Sequence, residues 1–598
     1  MKISIKNKEI TKTIYVNKND NLLKVLRENN IEVNNNCGAK GKCGKCKVKV
    51  LKYNYLKTTK SDEKYLSKEE LKEKIRLACM INLEDDMEIE IINNKDNIYV
   101  LTDVYDNFDN LDTNIKKHYI ELKKPTLKDQ RDDIKRLKES LNIDLEINIK
   151  DLQNISEILE ENDYKITLAT YKNKLLHIQG NDRRKYKYGV AIDLGTTTIA
   201  LYLIDLNNGD IISVLSKVNN QRAYGGDVIS RINYTIENKN GINELNKCII
   251  DEINEMIDKI SEDNKINKEE IYNLVVVGNT TMIHLFMKLN CKNIALAPFI
   301  PTLTETYECL SSDLDINING IVSFPPGISA YVGSDISAGI LSSNICEKEK
   351  YSLLLDIGTN GEMALGNKET VFTCSTAAGP AFEGANIKYG VGGIDGAISS
   401  IDLNKNTIYK TINNKTPCGI CGSGVLDISS QLLQYEIIDE SGRICDLDEI
   451  KNENLSKRLK EENNMKEFVI FEDESKKISF TQKDIREVQL AKAAINAGIK
   501  VLLKKSNLTY DDIEHVYIGG GFGNFMDVES AVNIGMIPKG FKNKIKSIGN
   551  CAGKGAINYL INEKKREEII NITNKCKYIE LSQSKDFQEF YIDSITFE

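Results

Sequence analysis

The chain has 598 residues, 41% hydrophobic and 28% charged, with a formal net charge of -8 and a pI near 5.5. That length exceeds what one hydrophobic core serves and predicts about three to five domains. The acidic balance, with no stretch of clustered Arg and Lys interleaved with aromatics, argues against a nucleic-acid partner. No run of about 18 apolar residues offers a membrane span, and "MKISIKNKEITKTIYV" alternates apolar and charged positions instead of forming the apolar run of a secretory signal, so a cytoplasmic protein is expected. Fourteen cysteines in such a setting read as thiols and metal ligands rather than as a disulfide framework.

Residues 1–95 predict a hairpin, a short helix over "NLLKVLRENN", a cysteine-bearing loop, a strand over "CKVKVLK" and a closing strand over "MEIEII", an α+β domain of ferredoxin size. Residues 96–118 are polar without a sustained period and predict a linker. Residues 119–183 combine helical spacing in "LKDQRDDIKRLKESL" with strand-like "KITLATY" and "KLLHIQG", a small α/β middle domain. From 184 to 598 the texture changes: "YGVAIDLGTTTIALYLID" and "YSLLLDIGTNGEMALG" are two copies of one pattern, a buried strand, an Asp, a Gly-Thr turn and a second strand. This internal repeat predicts a duplicated α/β fold with lobes at about 184–348 and 349–598 and a cleft between them.

Cys37, Cys43, Cys46 and Cys79 give C-x5-C-x2-C-x32-C. A structural zinc site usually brings its ligands in two close pairs; here three thiolates share one loop and a fourth returns alone, the arrangement of a [2Fe–2S] ferredoxin. Gly38, Gly41 and Gly44 let the backbone wrap closely and aim N–H groups at cluster sulfurs. The spacing departs from plant-type C-x4-C and resembles the adrenodoxin-like variant. Lys40, Lys42, Lys45, Lys47 and Lys49 surround the loop, either as a rim that attracts an acidic partner or as an ordinary solvated face.

In the first repeat, Asp193 is placed to organise a hydrated Mg2+, and Gly195, Thr196, Thr197 and Thr198 offer N–H and hydroxyl groups to phosphate oxygens. The second supplies Asp356, Gly358, Thr359, Asn360, Gly361 and Glu362. With the glycine-rich turns "CGICGSG" and "YIGGGFGN", the pair predicts a nucleotide site, against the alternative of purely structural turns. The pattern resembles the acetate and sugar kinase, Hsc70 and actin superfamily. That resemblance implies ATP between two lobes, with Asp193, Asp356 and Glu362 as catalytic candidates facing Mg2+ and the attacking water. It further implies Gly-Thr turns on the β- and γ-phosphates, Gly519, Gly520 and Gly521 near the adenosine, and Gly422, Ser423 and Gly424 near the nucleotide.

A β-grasp [2Fe–2S] domain joined to an actin-like ATPase domain is an uncommon pairing. The ordered blocks "NNQRAYGGDVISRI", "VVVGNTTMIHLF", "ISAYVGSDISAGIL", "AAGPAFEGANI", "ICGSGVLD", "TQKDIREVQLAKAAINAGI" and "GNCAGKGA" make the whole chain similar to the reductive activators of corrinoid proteins. The resemblance implies one-electron reduction of Co(II) to Co(I) in a corrinoid methyl-carrier protein, coupled to ATP hydrolysis, with a low-potential electron donor upstream; a homodimer is compatible with it. For one electron each 59 mV is tenfold, so a gap of roughly 300 mV corresponds to about 7 kcal/mol, which nucleotide state can offset only by changing how partner states are held. The rival readings are an activator of another low-potential enzyme and a redox-sensing, nucleotide-binding regulatory module.

Other residues carry weaker signals. Cys418 and Cys421 read as loop packing, or as a redox pair or dimer-bridging cluster. His284 reads as a hydrogen-bonded helix residue, Thr481 as an N-cap and Lys492 as a surface residue of the helix that follows. Tyr224, Gly225, Gly226, Asp227 and Arg231 could serve either the cleft or a partner surface.

Overall fold

The computed structural model describes residues 1–7, 10–29, 31, 33, 39–41, 44–92, 111–462, 464–474, 476–523 and 525–597. Strands β1 (Lys2–Asn7), β2 (Ile10–Tyr15), β3 (Lys47–Lys52), β4 (Ile75–Leu77) and β5 (Met87–Ile91) form one sheet in the order β2-β1-β5-β3-β4. Only the β1–β5 pairing is parallel. Its alternating residues Ile3, Ile5, Val48, Val50, Met87, Ile89 and Ile91 are buried, the period-2 signature of a half-covered sheet. The cover is helix α1 (Leu22–Glu28), whose Leu22, Leu23, Val25 and Leu26 turn inward while Asn21 caps its N-terminus by accepting from the Lys24 N–H. This is the expected β-grasp arrangement.

A second, three-stranded antiparallel sheet follows: β6 (Ile115–Glu121), β7 (Lys165–Tyr171) and β8 (Lys174–Gly180). Helices α2 (Asp133–Leu141) and α3 (Ile149–Glu161) join it to enclose a core of Leu137, Leu145, Ile155, Leu159, Ile166, Leu168, Leu175 and Ile178. Strand β6 begins inside the stretch expected as linker. Its sequence "IKKHYIE" has a buried Ile115 but lysines at the next two positions, and that charge masks the strand pattern. Most of the remaining linker stretch, 96–110, lies outside the described residues.

The internal repeat is a repeat of structure. In the first lobe β9 (Tyr188–Leu194) and β10 (Thr198–Asp205) form a hairpin, and β11 (Ile271–Gly278) runs parallel to β9 on its other side. In the second lobe β12 (Tyr351–Ile357) and β13 (Gly361–Gly366) form the same hairpin, flanked by parallel β14 (Ile513–Gly519). Each hairpin belongs to a six-stranded mixed sheet. Strands buried on both faces, such as β11 with every residue buried, read as continuous apolar runs.

Between the lobes α4 (Ser334–Ser343) crosses α5 (Cys551–Ile561) at close range. A Cβ at Gly555 would lie 2.1 Å from the Ala338 carbonyl oxygen, and one at Gly339 3.1 Å from the Cys551 sulfur. The Ser342 hydroxyl donates to the Cys551 carbonyl at 2.8 Å. Among the described residues no helix is long and apolar enough to cross a membrane.

Three parts of the chain are pinned together at Glu308. Tyr171 from β7 donates its hydroxyl to both carboxylate oxygens at 2.6 and 2.7 Å, and Arg566 donates to Oε1 at 2.9 Å. Arg566 also donates to the Tyr559 carbonyl at 2.9 Å and is almost fully buried. Hydrogen bonds to a charged group contribute about 1.5–3 kcal/mol. Arg566→Met should therefore lower stability by about 2–3 kcal/mol, read as a fall in the calorimetric transition of the lobes. A change under about 0.5 kcal/mol would show that the pin has no net effect.

Candidate functional site

The two Gly-Thr turns sit at the hairpin tips and face each other. The Thr197 hydroxyl lies 3.4 Å from that of Thr359. Each turn is tied down in the same way: the Asn219 N–H donates to the Thr197 carbonyl at 2.9 Å, and the Gly379 N–H to the Thr359 carbonyl at 3.0 Å. A carboxylate that the sequence reading did not single out bridges them. Glu383 accepts from Thr197 at 2.8 Å and from Thr359 at 3.0 Å on both oxygens.

Behind the turns lies a group of acids from separate elements. Asp193 and Asp356 are the penultimate residues of β9 and β12, Glu362 is the second residue of β13 and Asp335 stands in the first turn of α4. Asp193 accepts from the Asn550 side-chain amide at 2.9 Å, and Asn550 in turn caps α5 through the Gly553 N–H. Desolvation raises Asp193 to about 6, opposed by the Asn550 hydrogen bond. Asp356 is raised to about 7 by desolvation and by the charge of Asp193. Asp335 and Glu362 are pushed up by burial, each by the charge of the other acids as well. These acids lie near enough to feel one another's charge, but among the described residues no three His, Cys, Asp or Glu side chains are grouped closely enough to hold a metal ion by themselves.

The first turn is held from behind by groups in two of the blocks quoted above. The Asn219 amide donates to the Gly195 carbonyl at 2.9 Å, and the Asn279 amide to the Thr196 hydroxyl at 2.9 Å. Arg231, fully buried, donates to the Thr196 carbonyl, to the Gly225 carbonyl at 3.0 Å and to Gln221 at 3.2 Å. Burial lowers its pKa to about 10. Asp227 caps the helix Val228–Glu237 by accepting from the Ser230 N–H at 2.7 Å. Asn219, Asn279, Asp335, Glu383 and Asn550 all lie in blocks quoted above. Asn before a helix start was the available signal for two of them, since Asn279 and Asn550 are both N-caps.

The remaining predicted residues fall as follows. Thr198 and Gly361 are the first residues of β10 and β13, and Asn360 donates to Glu362 at 3.2 Å. The Gly358 N–H closes its turn on the Asn360 carbonyl at 2.9 Å. Gly520 has φ +82°, and a Cβ there would lie 2.6 Å from Asp356; Gly519 packs against the Cys551 sulfur, and Gly521 opens into free space. Gly422, Ser423 and Gly424 start the helix Gly422–Gln434, but the buried Ser423 hydroxyl donates to the Ser399 carbonyl at 2.8 Å, so it is turned toward the sheet. Cys418 and Cys421 donate to the carbonyls of Asp395 and Ile398, as loop packing predicts. His284 donates from Nδ1 to the Thr280 carbonyl and accepts from the Thr302 N–H at Nε2, a structural role. Lys492 departs from expectation. It is buried, because the C-terminal segment folds over its helix and takes its ammonium on the Thr596 carbonyl.

In the N-terminal domain Cys46 and Cys79 are buried with their sulfurs 3.3 Å apart, and the Ala78 N–H donates to the Cys46 carbonyl at 2.8 Å. Cys37 and Cys43, with Gly38 and Lys42, lie outside the described residues. Gly41 (φ +65°) and Gly44 (φ +68°) adopt the left-handed region that the close wrap needs. Lys47 pairs with Glu70, and Lys49 with Glu73 at 3.2 Å. Lys40 reaches Glu237 of the first lobe at 3.6 Å, so at least one loop lysine serves contact between domains. Beside it Arg27 stacks over Tyr224 at 4.2 Å and donates to the Ala223 carbonyl and the Tyr234 hydroxyl, each at 3.4 Å.

With this geometry in hand, comparison with known proteins is direct. Family models match residues 5–84 as a 2Fe-2S iron-sulfur cluster binding domain, 109–185 as the RACo linker region, 188–348 as the RACo middle region and 350–598 as the C-terminal domain of RACo, the ASKHA domain. The chain is 33% identical over 577 residues to a corrinoid activation enzyme, RamQ, of Eubacterium limosum, covering 94% of this chain and 93% of that protein. It is 24% identical over 452 residues to the [Co(II) methylated amine-specific corrinoid protein] reductase of Methanosarcina barkeri, covering 69% and 77%. A solved reductive activator for corrinoid, iron-sulfur protein superposes with a TM-score of 0.74 at 34% identity, covering 100% of this chain and 98% of that one. The protein thus pairs a [2Fe–2S] domain with a nucleotide-binding ASKHA domain, and it belongs to the family of reductive activators of corrinoid proteins.

Proposed function

We propose that this protein is a cytoplasmic ATP-dependent reductase that restores the Co(I) state of a corrinoid methyl-carrier protein from Co(II), one electron at a time, at the expense of ATP hydrolysed between the lobes. The observation that carries the reading is the seating of the cluster domain, through Arg27 and Lys40, on the lobe whose Gly-Thr turn is held by Arg231. When bound, the cluster supplies a single electron at low potential, replenished by a separate low-potential donor. Cys46 and Cys79 would hold it together with Cys37 and Cys43.

The chain's own groups account for the nucleotide half. Gly195–Thr198 and Gly358–Gly361 present N–H and hydroxyl donors from both sides to phosphate oxygens. Asp193 and Asp356, with Asp335 and Glu362, would meet the water shell of a Mg2+ that the nucleotide phosphates carry, and orient the attacking water. Phosphoryl transfer to water asks mainly for positioning and charge neutralisation. Gly521, with open space at its Cβ position, leaves room for the nucleoside, and Gly520 lets the chain pass close to Asp356. Desolvation disfavours the ionised forms of the four acids, and a nearby cation would offset this.

The direct test is anaerobic mixing of the reduced protein with a Co(II) corrinoid protein: the Co(I) absorption should appear with MgATP and stay absent without it. If Co(I) formed at the same rate without nucleotide, the ATP coupling would be wrong; if no corrinoid partner were reduced while another low-potential acceptor was, the substrate would be. Cys79→Ser should bleach or alter the [2Fe–2S] spectrum while MgATP binding persists. Asp356→Asn should lower ATP turnover by about 100-fold or more with the cluster spectrum unchanged.

A pH dependence follows from the raised carboxyls. Unfolded, Asp193 and Asp356 titrate near the model value 3.8; folded, they titrate near 6 and 7. The folded state therefore keeps protons that the unfolded state has lost. Stability of the nucleotide-free protein falls as pH rises through about 4 to 7 and levels off above. Since Mg2+ pairs with the ionised forms, the gain in Tm from a Mg-bound ATP analogue should be larger at about pH 8 than at about pH 5.5. Equal gains would show that these acids do not meet the cation.

A further inference from the structure

Glu383 stands where the two lobes touch. It ends the short turn Pro380–Glu383 in the second lobe. Its carboxylate takes the Thr197 hydroxyl of the first lobe on Oε2 and the Thr359 hydroxyl of its own lobe on both oxygens. The Thr197 contact is thus a hydrogen bond across the cleft, made by the same side chain that the first Gly-Thr turn would offer to a phosphate. A threonine hydroxyl has one proton to donate. Thr197 can give it to Glu383 or to a phosphate oxygen, not to both, and the same holds for Thr359. The two acceptors are also alike in charge, and a carboxylate and a phosphate cannot share one pair of donors without repulsion in a desolvated cleft.

We propose that Glu383 is a positioning residue that competes with phosphate for the turns: its carboxylate holds both phosphate turns together until nucleotide phosphate takes over the Thr197 and Thr359 hydroxyls and displaces it. The inference rests on the reading of the Gly-Thr turns as phosphate sites. No bond is made or broken in the exchange; two donated protons of hydrogen bonds change acceptor. The exchange makes the nucleotide-free lobes closed by one contact and the nucleotide-bound lobes closed by another, so the Pro380–Glu383 segment adopts a different position in the two states. A ligand lacking competition from Glu383 should bind more tightly, because the empty state it must displace is less stable.

The test is equilibrium binding of MgATP to the cluster-loaded protein, wild type against Glu383→Ala, Glu383→Gln, Thr197→Val and the double variant Thr197→Val with Glu383→Ala. Absorption of the cluster and the thermal transition serve as the checks of folding. Competition predicts that Glu383→Ala tightens MgATP by about tenfold, or about 1.4 kcal/mol. Glu383→Gln, which keeps an acceptor but drops the charge, should tighten it by less. Thr197→Val should weaken binding and abolish the gain from Glu383→Ala, since the contested donor is then gone. A purely structural Glu383 would give the opposite sign: Glu383→Ala would lower Tm and weaken or leave unchanged the affinity, and the two substitutions would add. Wild-type binding that Glu383→Ala fails to tighten removes the latch alone. Absence of MgATP binding by all five proteins removes the nucleotide reading and the latch with it.

Discussion

The crossing of α4 and α5 at Gly555 is the constraint on which the site depends. With a Cβ position 2.1 Å from the Ala338 carbonyl, no side chain fits at 555, and the two helices approach as closely as backbones allow. Each carries part of the site at its start: Asp335 in the first turn of α4, Asn550 and Cys551 at the head of α5. Because the α5 cap Asn550 also holds Asp193, the crossing fixes Asp193 relative to Asp335. Separating the helices by the width of a methyl group would shift Asp335 relative to Asp193.

The cleft combines two opposed electrostatic tendencies. Desolvation raises the pKa of Asp193, Asp356 and Glu383, with the charge of Asp193 adding to it at Asp356, while the turns supply donors that favour negative charge. Neither tendency alone makes a nucleotide site. Together they match the proposed ligand, an anion that arrives with a cation, the form in which nucleoside triphosphates occur in water with Mg2+.

Much of this was legible in the sequence because it rests on local pattern. The period-2 burial of Ile3 and Ile5, the cysteine spacing and the duplicated D-x-G-T hairpins follow from short-range rules, and the two hairpins fold alike. What the sequence hid is contact made at long range. Glu383 joins Thr197 across 186 positions and Asn550 joins Asp193 across 357, and no spacing rule reaches that far. Strand β6 was hidden for another reason, its outward lysines, and Lys492 because an amphipathic helix does not show that the chain's own C-terminus will cover it. Arg231 could be seen as a member of a block but not as the support of a turn 35 positions earlier.

Arg231 has one more consequence. Its guanidinium holds the Thr196 carbonyl on one side and the Gly225 carbonyl on another, and the neighbouring Ala223 carbonyl accepts from Arg27 of the cluster domain. Positions 196, 221, 225 and 231 therefore form one mechanical unit beneath the cluster domain's seat. A lysine there has three donors on a single nitrogen and cannot span acceptors that the planar guanidinium reaches from separate nitrogens. Changes at these positions would be tolerated only as a set, and a defect arising at any one of them would show in both halves of the molecule at once, so that a variant scored as failing in electron delivery could have its origin at the phosphate turn.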